Sequence, residues 1–206
     1  MKHIVTVQHT QSVHHTNGMV GSRTDWDLTG LGRIQADRIG KKLKEELAGK
    51  DAVMYSSDLK RAKQTAEEIA KHLGIEPVFM EELRERNLGR CCGKSVQWLR
   101  ENKECDEITV DDKMFPDGES RREAWNRLLP FFEEVMESGD ETVIIVSHGD
   151  ILSMWNAMFL GLDVEACCRA EIHGQAGGVS HMFVGDDGKR FVRRIGDMSY
   201  VLQGQA

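Results

Sequence analysis

The chain has 206 residues, of which 40% are hydrophobic and 30% charged, the balance of an ordinary soluble globular protein. Lys plus Arg number 27 against 34 Asp plus Glu, a net charge of −7, which excludes a nucleic-acid clamp working by counterion release. The apolar run after Met1 is far too short for a signal-peptide core and no stretch is long enough to span a membrane; the cysteines show no C-x-x-C spacing, so reduced thiols in the cytoplasm are the simplest reading.

In chain order, Ile4, Val5 and Val7 form a short β-rich run that stops at Gln8-His9. Polar loop residues follow to Leu28. Thr29 is an N-cap for a helix with Leu31, Ile34, Ile39, Leu43 and Leu47 as its apolar face. Asp51 to Tyr55 reads as a second strand ending at Ser56-Ser57. A helix from about Asp58 carries Leu59, Ala62, Ala66, Ile69 and Leu73, and Gly74 closes it. Pro77 to Met80 is a short extended piece. Residues 81–118 lack a firm pattern and read as loops and short helices, a lid or substrate-specificity segment within one domain spanning 1–206. Ser120 opens a long helix with Ala124, Leu128, Phe131, Val135 and Met136 inward, kinked at Pro130. Val143 to Val146 has the continuous apolar character of a buried parallel strand. A helix over Ile151 to Leu160 and a strand pair, Val179 to Val184 and Arg190 to Ile195, complete the pattern. Strands alternating with helices predict an α/β layered sheet, largely parallel.

Ligands of open α/β sheets bind outside the carboxyl ends of the strands. Here those ends are Gln8-His9-Thr10, Ser56-Ser57-Asp58 and Ser147-His148-Gly149, with Arg61 one helical turn beyond the second. Two histidines, an arginine and a helix N-terminus at one rim make a phosphate site.

The residues at that rim carry a resemblance. His9 with Gln11-Ser12 resembles the R-H-G-[EQ]-[ST] signature of the histidine phosphatase superfamily, which includes cofactor-dependent phosphoglycerate mutase. Leu28-Thr29, Gly32 and Gln35-Ala36 resemble its L-T-x-x-G-x-x-Q-A helix start. Ser56-Ser57-Asp58-Leu59-x-Arg61-Ala62-x-Gln64-Thr65-Ala66 is close to its S-S-D-L-x-R-A-x-Q-T-A. Leu83, Glu85, Gly89 and Gly93 resemble its acid-residue loop, Pro116-x-Gly118-Glu119-Ser120 its P-x-G-E-S segment, and Val146-Ser147-His148-Gly149 its second histidine motif. The order of these motifs, from Ile4 to Gly149, makes the resemblance specific.

The resemblance implies a three-layer α/β/α sandwich with a mostly parallel central sheet and an antiparallel edge strand. It implies a phosphomonoester hydrolase that works through a phosphohistidine on a small phosphorylated metabolite, with no metal and no cofactor. His9 is then the nucleophile, Arg61 holds the phosphate oxygens, His148 donates to a transferring oxygen as an imidazolium, and Glu85 is the general acid and then the base. Glu81 and Glu82 are nearby alternatives to Glu85. The segment from Ser95 to Met114 is short, which favours hydrolysis over mutase action.

This sequence departs from the motif inside the pocket. Gln8 replaces the first arginine, Thr10 the glycine, His15 the asparagine, and Cys92 the glutamate of G-x-x-E-G. One charged hydrogen bond contributes about 1.5–3 kcal/mol, so losing it in the transition state slows the reaction by about 10- to 150-fold unless something compensates. The Gln8 amide, the Thr10 hydroxyl, and charge from Arg23, His14 or His15 are the candidates for phosphate binding. The altered motif also leaves a second reading, a catalytically weak phosphate-ester-binding or regulatory protein. A third is a metal-dependent hydrolase using His9, His14, His15, Asp25 and Asp27. His3, His72, His173 and His181 are expected to be structural. Trp98, Trp125 and Trp155 are candidate interface residues for a homodimer.

Overall fold

The computed structural model describes residues 1–202. The strands are β1 (Lys2–Gln8), β2 (Ala52–Ser57), β3 (Pro77–Met80), β4 (Thr142–Ser147), β5 (Val179–Val184) and β6 (Arg190–Asp197). The α-helices are α1 (His14–Asn17), α2 (Gly30–Glu46), α3 (Lys60–Leu73), α4 (Val96–Asn102), α5 (Arg121–Glu137) and α6 (Gly149–Phe159). Alternate side chains point to opposite faces of a strand, and the buried clusters follow that alternation. Ile4, Val143 and Ile145 pack against α5 and α6, while Val5, Val7, Ile144 and Val146 pack against α2 and α3. The result is a three-layer α/β/α sandwich.

The sheet order is β3-β2-β4-β1-β5-β6. Strands β1 to β4 run parallel, so the carboxyl ends of β1, β2 and β4 share one rim. The antiparallel strand is β5, one place in from the edge, and β6 returns antiparallel to it as the outer strand. His9 extends the central pairing by donating its backbone N–H to the Ser147 carbonyl at 2.9 Å.

Helix α2 begins where expected, with the Thr29 hydroxyl accepting from the Gly32 N–H, but its inner face differs. Leu31 and Ile34 are 47% and 51% exposed. Ile39, Leu43 and Leu47 are buried as expected, and Gly32, Ala36 and Gly40 fill the rest of the inner face. Hydropathy favours the larger residues, whereas close approach requires the small ones. A Cβ on Gly32 would lie 1.9 Å from the Gln11 carbonyl oxygen, and one on Gly40 would lie 2.5 Å from the His72 ring.

Helix α5 opens on a full capping box between Ser120 and Glu123. It continues through Pro130, whose missing N–H leaves the Asn126 carbonyl without its helical donor. Trp125 and Trp155 lie in the core beside α5 and α6, which removes them as interface residues; Trp98 is half-buried and stacks on Phe115 at 5.8 Å. The segment after β3 is secured on the loop after α1. Val20 donates to the Lys94 carbonyl, Val96 to Gly18, and the Ser22 hydroxyl to Arg86. Val20, Cys91 and Phe115 form a small separate core beneath it. No helix among the described residues is long and apolar enough to cross a membrane.

Candidate active site

His9 stands at the carboxyl end of β1 and is 3% exposed. Its Nδ1 lies 2.9 Å from the Thr10 carbonyl oxygen. A carbonyl only accepts, so Nδ1 carries the hydrogen and Nε2 keeps a lone pair. Arg61, in the first turn of α3, donates its Nε–H to that Nε2 at 3.1 Å. The Arg61 Nη atoms donate to the Thr24 carbonyl at 2.8 Å and the Ser22 carbonyl at 2.7 Å. Burial and then the Arg61 charge hold the His9 pKa well below its ordinary value, so the ring is neutral. Burial also lowers Arg61 itself, to about 10.

His148 lies beside His9 just beneath the cavity lining, its ring centroid 5.1 Å from that of His9. It is fully buried, its Nε2 is 2.8 Å from the Ser57 hydroxyl, and its Nδ1 has no partner among the described residues. Burial, then Arg61 and His9, depress its pKa well below 6.5. Without a phosphate group in the site the ring is therefore a neutral imidazole, chiefly because it is buried and then because Arg61 is nearby.

The loop after His9 behaves differently from expectation. The Thr10 hydroxyl donates to the Gly32 carbonyl at 2.8 Å, so it secures α2 and does not face the pocket. Arg23 turns away, with Nε toward the Glu85 carbonyl and Nη2 3.4 Å from Glu119. His14 and His15 line the cavity but carry no charge. Desolvation, with His15 and Arg61 nearby, lowers half-buried His14 to about 3, and the surrounding protein and Arg61 lower His15 although its outer side is exposed. None of the three therefore replaces the motif arginine with a cation. His15 still offers a donor. Its Nδ1 accepts the Ser12 backbone N–H at 3.1 Å, which leaves the hydrogen on Nε2. Its ring stacks on His9 at 5.4 Å and 6°. The Gln8 amide lines the same cavity, and its Oε1 is buried without a partner among the described residues.

Glu85 completes the cavity of about 250 Å3. Burial and the Asp150 carboxylate raise its pKa to about 7, against the pull of Arg61. Glu81 is exposed and paired with Arg84, and neither it nor Glu82 lines the cavity. Arg86, Asp150 and His173 also line it, and sequence reasoning missed all three. Arg86 and Asp150 directly follow singled-out motif residues, so adjacency was an available signal. His173 sits in an irregular loop with no local signal.

Ring atoms of His9, His14 and His15 come within 4.8 Å of one another, but the donor set does not suit a cation. The His15 Nε2 is protonated, the His9 Nε2 faces Arg61, and Asp25 and Asp27 are turned to Lys60. What the arrangement offers is a neutral ring nitrogen whose lone pair is held only by the Arg61 Nε–H, fixed N–H donors around it, and a carboxyl that exchanges its proton near neutrality. Those are the parts of a phosphoryl-transfer site.

The histidine phosphatase superfamily (branch 1) family model matches residues 4–196. The chain is 32% identical to a putative phosphoserine phosphatase 2 of Hydrogenobacter thermophilus, over 80% of this chain and 82% of that one. It is 29% identical to a 2,3-bisphosphoglycerate-dependent phosphoglycerate mutase of Bartonella tribocorum, over 82% and 86%. Among solved structures, Bacillus stearothermophilus YhfR superimposes with a TM-score of 0.84 at 25% identity, covering 98% of this chain and 100% of that one. The chain belongs to the histidine phosphatase superfamily.

Proposed function

We propose that this chain is a phosphomonoester hydrolase that works through a phosphohistidine at His9. One observation carries the reading: the Thr10 carbonyl fixes the His9 tautomer so that a neutral Nε2 lone pair faces the cavity beside Arg61. Relatives named phosphoserine phosphatase support hydrolysis of a small phosphorylated metabolite.

In the first step the His9 Nε2 bonds to phosphorus as the bond to the alcohol oxygen breaks. Protonated Glu85 gives its proton to that oxygen. In the second step Glu85, now a carboxylate, takes a proton from water, the water oxygen bonds to phosphorus, and the P–N bond breaks. Arg61, the His15 Nε2–H, the Gln8 amide and His148 hold the remaining phosphoryl oxygens, with the Arg61 Nε–H passing from His9 to the phosphoryl group. A phosphoryl dianion brings His148 the opposite charge that its surroundings lack, which favours protonation there. Residues 81–118 act as the lid that selects the alcohol.

The cation deficit at Gln8 favours a second reading, a phosphate-ester binder with weak turnover. Acid-sensitive labelling with a 32P-phosphomonoester separates the two. The hydrolase gives a base-stable, acid-labile phosphoenzyme that His9→Ala abolishes. Measurable ester binding without label or turnover favours the binder.

A further inference from the structure

The cavity is short of positive charge and long in acceptors. Arg61 is the one cation beside His9 among the described residues. Arg86 also reaches the cavity, but both carboxylate oxygens of Glu107 and one of Asp150 occupy its guanidinium. On the acceptor side, the Asp150 side chain is 33% exposed, its Oδ2 takes the Arg86 Nε–H at 3.0 Å, and its Oδ1 meets no protein donor among the described residues and is open to solvent or a ligand. The buried Gln8 Oε1 is equally without a donor. Both residues line the cavity.

A phosphoryl dianion draws a proton to His148 but gives Asp150 no counter-charge and the Gln8 Oε1 no donor. An ammonium group on the alcohol portion of the substrate does both at once. Opposite charges a few ångströms apart attract more strongly at a partly buried site than in bulk water, so an ammonium beside the partly exposed Asp150 offsets the dianion from the substrate's own side. The cavity, at about 250 Å3, falls below the usual range for drug-sized ligands, in keeping with a small alcohol.

We propose that the substrate is a small phosphomonoester whose alcohol carries an ammonium group, which Asp150 and Gln8 receive and which supplies the charge that the motif arginine does not. This rests on the hydrolase reading above. Asp150 is then the specificity-determining residue, and Gln8 is matched to the substrate because an arginine there would repel the ammonium.

The test compares kcat/KM for phosphoethanolamine and 2-hydroxyethyl phosphate, which differ in the terminal ammonium and hydroxyl. Comparing the ratio across variants cancels the intrinsic reactivity of the two esters. The expected ratio is at least about tenfold in favour of the amine for the unaltered protein, a full factor of ten in transition-state discrimination. Asp150→Asn, which keeps a carbonyl oxygen for Arg86, brings the ratio down severalfold. Gln8→Arg narrows it by raising turnover of the hydroxy ester. Equal use of the two esters, or a ratio that neither substitution moves, overturns the proposal while the hydrolase reading stands. No turnover of either ester or of p-nitrophenyl phosphate, with no phosphohistidine, overturns both.

Discussion

The Arg61 Nε–H lies 3.1 Å from the His9 Nε2, on the lone pair proposed to attack phosphorus. The contact keeps the imidazole unprotonated and leaves it ready to react once the guanidinium shifts to a phosphoryl oxygen. The two Nη contacts to the Ser22 and Thr24 carbonyls hold the fork in place, so one side chain aligns the nucleophile and organises the loop that carries Ser22 and Arg23.

Arg61→Ala therefore has two separable effects. Turnover falls by about 10²- to 10³-fold, the cost of removing one transition-state donor. Stability falls as well, because buried acceptors left unpaired cost about 1–3 kcal/mol each. Arg61→Lys keeps the charge but cannot span three acceptors in one plane, so it recovers less turnover than its charge suggests. Steady-state kinetics and urea unfolding of the two variants measure these effects, and unchanged turnover in Arg61→Ala contradicts the role assigned to the guanidinium.

Glu85 sets a pH limb. Its pKa is raised to about 7, chiefly by burial and then by Asp150, and the general acid is its protonated form. The rate with alkyl phosphates thus falls as pH rises through about 7. Glu85→Gln removes that limb and slows alkyl esters far more than p-nitrophenyl phosphate, whose leaving group needs little protonation. The same shift has a stability sign. The folded state holds the proton more tightly than the unfolded chain, so Glu85 contributes stability at low pH that is lost as pH rises from its unfolded value through about 7. A pH–rate profile without a limb near neutrality in the unaltered protein rules out this assignment.

The parts of the site legible in the sequence are those that a strand end fixes locally. His9 and His148 follow directly from where β1 and β4 stop, and Arg61 from the first turn of α3. The misread parts depend on partners far away in the chain. Thr10 looks like a phosphate donor until the Gly32 carbonyl takes its hydroxyl. Arg23 looks like a replacement cation until Glu119 is brought beside it. Leu31 and Ile34 look like core because hydropathy cannot register how closely α2 approaches the Gln11 backbone. The ligand-free state of His148 is equally hidden in the sequence, since its burial and the Arg61 charge, which together keep the ring neutral, come from elements far away in the chain.

The His15 tautomer gives a third prediction. The Ser12 N–H occupies Nδ1 and leaves Nε2–H as the donor, the function an asparagine amide performs with one of its own N–H groups. His15→Asn is expected to stay within about threefold of the unaltered kcat/KM. His15→Ala loses one hydrogen bond to the phosphoryl group, about tenfold for a contribution near 1.4 kcal/mol. Equal kinetics for the asparagine and alanine variants, at equal thermal stability, contradicts the donor role.

The contact between Gly32 and Gln11 links the fold to the chemistry and can be tested without touching a reacting group. A Cβ at position 32 meets the Gln11 carbonyl oxygen at 1.9 Å, a backbone atom that cannot rotate aside. Gln11 lies two residues beyond His9, and the Gly32 carbonyl also holds the Thr10 hydroxyl. Gly32→Ala must therefore push α2 off the nucleophile loop. The expected cost is about 1–3 kcal/mol, as for other overpacked sites, together with a fall in kcat from a displaced His9. Gly30→Ala is the control, because a Cβ there meets nothing within 4 Å and alanine favours the helix by up to about 1 kcal/mol. Melting temperatures and kcat for the pair should move in opposite directions for stability and diverge for turnover. If Gly32→Ala is as stable and as active as Gly30→Ala, the close approach of α2 is not what seats the nucleophile.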